Sequence, residues 1–212
     1  MSDHTPFTTF YIVRHGETEF NAKEIMMGYT VDSALTKKGK EQARKIADEL
    51  SHIHFDAGFS SDLLRAKRTA EIITLERKLA VKTTQALREQ SYGKYEGKTY
   101  AVFESELRKL LEKYEELSDR EKLHFRLEEG METDAEAGTR FITFIREIAV
   151  AYLGKTVLVV SHGDVIKHFL IHIGYATYNQ LREGTIENCS YVKIESDGVD
   201  FFIKETQGIR IK

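Results

Sequence analysis

Two short apolar runs, Phe10-Tyr11-Ile12-Val13 and Val157-Leu158-Val159-Val160, stand out along the chain. Aromatic and β-branched residues without alternation predict strands buried on both faces. Elsewhere the spacing becomes helical. Ala43, Ile46, Ala47 and Leu50 share one face of a helix that Thr36 would cap and that runs to about Leu50. Ala66, Ala70 and Ile73 predict a second helix, with Ser61 as its cap. Ala137, Phe141, Ile145, Ile148 and Tyr152 form the stripe of a third, opened by a Thr133–Glu136 capping box and closed by Gly154. A fourth runs from about Asp164 to Ile173 around Val165, Phe169 and Leu170. Short strands are expected over 55–60 and 78–84, and a hairpin pairing 191–195 with 199–205 around Asp197-Gly198. Strands alternating with helices predict an α/β sandwich.

Two stretches break the rhythm. Residues 17–34 are polar and aperiodic, a long connection of the kind that carries function at the ligand edge of a sheet. Residues 100–132 hold ten acidic and six basic side chains around Val102, Leu107, Leu110, Leu111, Tyr114 and Leu117. They predict an amphipathic helical insertion packed over the sheet edge.

Composition narrows the class. With 212 residues, 41% of them hydrophobic, the chain can build a full core, and a single proline leaves no obvious linker. A formal charge of −3 argues against a nucleic-acid or acidic-membrane binder. One cysteine, Cys189, forms no intrachain disulfide, and with no leader-like start and no run of transmembrane length the expected location is cytoplasmic.

Both apolar strands end in His-Gly: Arg14-His15-Gly16 and Ser161-His162-Gly163. The carboxyl edge of an open α/β sheet is where ligands bind, so two imidazoles delivered there with Arg14 suggest anion chemistry. Arg65 falls in the first turn of its helix, where free N–H groups favour the same charge. The glycine-bearing segment 93–99 spaces its glycines by three residues without a preceding apolar strand, and is no P-loop. A phosphoryl group fits. Arginine forks bind its oxygens, a neutral histidine with a fixed tautomer can attack phosphorus, and a protonated one can hold the equatorial oxygens. A carboxylic acid must then protonate the leaving alkoxide, and Glu89, Glu17 and Asp164 are candidates. His168 and His172 share a helix face at zinc-ligand spacing but lack the accompanying glutamate and a third ligand, so packing is the expected role. His4, His52, His54 and His124 are expected at the surface.

Five blocks, Arg14-His15-Gly16-Glu17-Thr18 with Asn21, Ser61-Asp62-Leu63-Leu64-Arg65, Leu87-Arg88-Glu89, Tyr95-Glu96-Gly97 and Ser161-His162-Gly163, resemble the histidine phosphatase superfamily in order, over residues 10 to about 190. The resemblance implies one domain over 1–212, a three-layer α/β/α sandwich with a mostly parallel sheet and an insertion at 100–132 covering the site. It implies that His15 is phosphorylated, that Arg14, Arg65 and His162 cradle the phosphoryl group, and that Glu89 is the proton donor. Asn21 adds a hydrogen bond, with Gly28, Tyr92 and Gly163 as further substrate- or phosphate-binding positions. No metal or cofactor is required. Met27, Ala34, Arg68, Tyr95 and Asp164 depart from the common pattern and touch substrate identity rather than the reaction. Tyr100 stands near the position of a lysine that binds the substrate carboxylate in phosphoglycerate mutases. Hydrolysis of a small phosphorylated metabolite is therefore favoured over transfer, with a mutase or a catalytically silent binding module as alternatives and a homodimer left open.

Overall fold

The computed structural model describes residues 6–182 and 184–211. The start of the chain and His4 lie outside them. Six strands form one sheet in the order β3-β2-β4-β1-β5-β6. β1 (Thr8–Arg14), β2 (Ala57–Ser61), β3 (Val81–Thr84) and β4 (Thr156–Ser161) are mutually parallel. β5 (Ile186–Ser196) runs antiparallel to β1, and β6 (Phe201–Ile209) closes the sheet as the second arm of the expected hairpin.

Alternation along β1 sorts the core into two layers. Phe10 and Ile12 point to the face covered by α6 (Asp134–Ala151) and α7 (Gly163–His172), packing with Phe141, Ile145 and Phe169. Tyr11 and Val13 point to the face covered by α2 (Lys37–Glu49) and α3 (Leu64–Thr74), against Ala43, Ile46, Ala66, Ala70 and Ile73. The three-layer α/β/α expectation holds. Thr36 caps α2 and Thr133 opens α6 with the predicted capping box. Ser61 does not cap α3. It is the buried last residue of β2, and the helix starts from Leu63 without a side-chain cap. A short helix α1 (Glu19–Ala22) also interrupts the stretch read as aperiodic, started by a Thr18–Asn21 capping box.

Helices α4 (Tyr100–Glu116) and α5 (Asp119–His124) occupy the expected insertion. Their inward stripe differs from the expectation. Phe103 and Leu107 are buried and Leu111 and Tyr114 half-buried, whereas Val102 and Leu110 are exposed. Phe103 and Leu107 pack on Met26, Tyr95 and Met131 in a third apolar cluster separate from the sheet core. No described helix is long and apolar enough to cross a membrane.

Candidate active site

β1 and β4 are neighbours in register, Arg14 opposite Ser161, so His15 and His162 leave the sheet edge side by side. Their ring centroids are 5.1 Å apart. The backbone holds both: the His15 N–H donates to the Ser161 carbonyl at 3.0 Å. The His15 carbonyl accepts from Asn188 Nδ2 at 3.0 Å and from the Cys189 N–H at 3.3 Å. Cys189 sits at φ +57 within an irregularity of β5, a left-handed conformation that turns its N–H toward the loop. After His15 the chain presses on α2. A Cβ on Gly39 would come within 2.0 Å of the Glu17 carbonyl oxygen, so only glycine fits there.

The two imidazoles are set in opposite senses. His15 Nδ1 donates to the Gly16 carbonyl at 2.8 Å, which leaves the Nε2 lone pair free. His162 Nδ1 accepts from Arg65 Nε at 3.1 Å, so its proton sits on Nε2. Burial, then the charges of Arg65 and Arg14, holds His15 well below the usual histidine range. Burial, then Arg65 and His15, does the same to His162. The sequence reading allowed a protonated second histidine; the surroundings favour the neutral form of both rings, in which His162 offers one N–H. Among the described residues that Nε2 and Arg14 Nε are buried without a hydrogen-bond partner. Arg14 lines the cavity at this edge and His162 packs behind it, and unpaired donors in such a place suit an anion.

Arg65 is fully buried and spends most of its fork on the protein. Besides His162 it donates to the carbonyls of Val31 and Gly28, both at 3.0 Å, and to Asp32 Oδ1 at 2.9 Å. Gly28 thus meets Arg65 through its carbonyl. Asn21 lines the cavity. Its oxygen accepts from the Thr18 N–H and hydroxyl, which turns its amide nitrogen away from the cap.

Three carboxyl groups were candidates for the acid, and their surroundings separate them. Glu17 binds Lys38 at 2.6 Å, which holds it below the usual glutamate range. Asp164 is half-buried, which opposes its charge, yet Lys167, His168 and the Tyr92 hydroxyl at 2.7 Å keep it ionised below the usual range. Glu89 alone is pushed up, to about 7, by burial and then by the Asp164 charge. Its oxygens accept from the N–H groups of Gln90 (3.0 Å), Val165 (3.0 Å) and Asp164 (3.2 Å), at the start of α7. These bonds and Arg65 pull the other way and lose to burial.

Arg14, His15, Arg65, Glu89, Tyr92 and Gly163 meet at a cavity of about 530 Å³. Tyr100, Phe103, Glu104 and Glu115 of α4 line its outer wall. Sequence reasoning missed Asn188, and gave no role to Glu96 although it stands in one of the quoted blocks. The Glu96 carboxylate accepts from the N–H groups of Tyr29, Thr30 and Val31 and so shapes the loop that grips Arg65. His168 is buried and bonds Gln90 at 2.9 Å, while His172, His52, His54 and His124 are exposed. Among the described residues no group of three or more His, Cys, Asp or Glu side chains could hold a metal ion.

A profile of the histidine phosphatase superfamily (branch 1) matches residues 10–207. The chain belongs to that superfamily. It is 33% identical over 168 residues to Arabidopsis thaliana phosphoglycerate mutase-like protein 4, covering 78% of this chain and 71% of the relative. It is 32% identical over 166 residues to the uncharacterized phosphatase PhoE of Bacillus subtilis, covering 78% and 77%. The crystal structure of phosphoglycerate mutase from Bacillus anthracis superposes with a TM-score of 0.81 at 27% identity, covering 97% of this chain and 94% of that one. Superfamily membership supports phosphatase or phosphomutase activity at the general level; the two activities meet among its relatives.

Proposed function

We propose that the protein hydrolyses a small phosphate monoester through a phosphohistidine on His15, without a metal ion. The observation that carries this reading is the pairing of a neutral His15, its Nε2 lone pair free, with a Glu89 still half protonated near pH 7. The first group must attack and the second must donate, and each is held in the state its task needs.

In the first step His15 Nε2 forms a bond to phosphorus as the ester P–O bond breaks. The Glu89 proton goes to the departing oxygen. Arg14 Nε, His162 Nε2 and the remaining Arg65 donor meet the charge that spreads over the equatorial oxygens. In the second step water attacks phosphorus, gives its proton to the Glu89 carboxylate, and the P–N bond breaks. Glu89 ends protonated, as it began.

Hydrolysis is favoured over transfer by the outer wall. On the α4 side Tyr100, Glu104 and Glu115 line it, poor partners for the carboxylate of a phosphoglycerate, while Lys167 and Arg182 are the basic side chains on the rest of the wall. The test is hydrolysis of p-nitrophenyl phosphate in EDTA by the wild type and by His15→Ala. Turnover in the first and none in the second is expected. Near-wild-type turnover by His15→Ala would overturn the mechanism.

A further inference from the structure

Behind Glu89 lies a buried polar cluster that the two chemical steps leave unused. Gln90 is 6% exposed, and both ends of its carboxamide are occupied. Its Nε2 donates to Asp134 Oδ1 at 2.9 Å and to the Glu132 carbonyl at 3.0 Å. Its Oε1 accepts from His168 Nε2 at 2.9 Å and lies 3.3 Å from the Tyr92 hydroxyl. Asp134, on the first turn of α6, also accepts from the hydroxyls of Tyr178 at 2.8 Å and Tyr114 at 3.3 Å. The cluster joins the loop that carries the acid to α6, to α7 and, through Tyr114, to α4.

Burying these groups is unfavourable unless each is paired, and one is not: His168 Nδ1 has no hydrogen-bond partner and lies 3.5 Å from Asp134 Oδ2, so apolar side chains of similar shape would make at least as stable a core. What the cluster supplies is a fixed geometry. The three N–H groups that hold the Glu89 carboxyl come from Gln90 and from the first turn of α7. The Gln90 side chain anchors the first of these, and His168 anchors α7 to the same carboxamide. The donors are therefore tied to one carboxamide.

We propose that Gln90, His168 and Asp134 form a positioning set that holds Glu89 where its proton meets the leaving oxygen. The proposal rests on reading Glu89 as the acid. A proton donor must stay within hydrogen-bond reach of its target, and functional groups tolerate about 0.5 Å of misplacement. Loosening the set costs most for leaving groups that need the proton.

The experiment compares kcat/KM for phenyl phosphate and p-nitrophenyl phosphate, two substrates of similar shape whose leaving groups differ in basicity. Glu89→Gln is the reference, and Gln90→Met, His168→Phe and His168→Gln are the variants. Gln90→Met and His168→Phe are expected to lower kcat/KM for phenyl phosphate about tenfold or more, a part of what general acid catalysis supplies, while p-nitrophenyl phosphate stays within about threefold. His168→Gln keeps an N–H for Gln90 Oε1 and is expected to restore much of the loss. Gln90→Asn carries the same comparison if Gln90→Met does not fold. Equal losses on both substrates, or none, beside a selective Glu89→Gln would overturn the positioning role and leave the acid standing. A Glu89→Gln that does not discriminate would remove the acid assignment and the positioning set with it.

Discussion

At the scale of single residues, burial rather than residue type decides which carboxyl group keeps its proton. Glu17, Glu89 and Asp164 are the same functional group in three settings, and only Glu89 sits where losing solvent outweighs its hydrogen bonds. Its protonated fraction falls as pH rises through about 7, so turnover of poor leaving groups should fall on the alkaline side of that value. His15 is held low and stays neutral as pH drops through the usual histidine range, so no matching acid limb is expected there. Asp164→Asn keeps an acceptor for Tyr92 but removes the charge that opposes ionisation of Glu89. The alkaline limb of the kcat/KM profile is then expected at lower pH, and a limb that stays in place would show that Asp164 does not tune the acid. The two His-Gly blocks and Arg14 were legible because they end strong apolar runs, and Arg65 through its place in the first turn of a helix and its family block. Asn188 was not, because nothing local marks a residue whose partner, the His15 carbonyl, lies across the sheet.

At the scale of elements, periodicity located the strands and the major helices, and it missed where side chains replace pattern. Helix α1 is four residues long, too short to show a period, and rests on the Thr18–Asn21 cap. The stripe assigned to α4 included Val102 and Leu110, since several apolar residues fit a 3.6-residue period and only tertiary packing selects Phe103 and Leu107. The loop over 28–32 has no secondary structure of its own and depends on Glu96. Its carboxylate is half-buried, which opposes its charge, yet the bonds from Thr30, Val31 and Tyr92 leave it below the usual glutamate range. That stabilisation is complete above the ordinary glutamate pKa and is lost as pH falls through the lowered value. Glu96→Gln should cost about 2 kcal/mol of stability, a typical weight for hydrogen bonds to a charged group. It should also raise KM through the loosened grip on Arg65. Thermal melts at neutral pH with steady-state kinetics check both, and an unchanged KM would show that the loop acts on stability alone.

At the scale of the whole molecule, the parallel pairing of β1 with β4 brings together residues 147 positions apart and makes the site a property of the sheet. The unpaired donors Arg14 Nε and His162 Nε2 are what the fold leaves open at that edge. Inorganic phosphate should satisfy them and stabilise the folded state by mass action, about 2.7 kcal/mol at a hundred times its Kd. A rise in melting temperature with phosphate is expected for the wild type and a much smaller one for Arg14→Gln; equal rises would place the anion elsewhere. The most direct measurement is to quench the enzyme with base during turnover, digest it and locate any phosphoryl group by mass spectrometry. A base-stable, acid-labile phosphoryl group on the peptide bearing His15, absent from His15→Ala, is the expected result. A phosphoryl group on any other residue, or turnover by His15→Ala, would contradict the account.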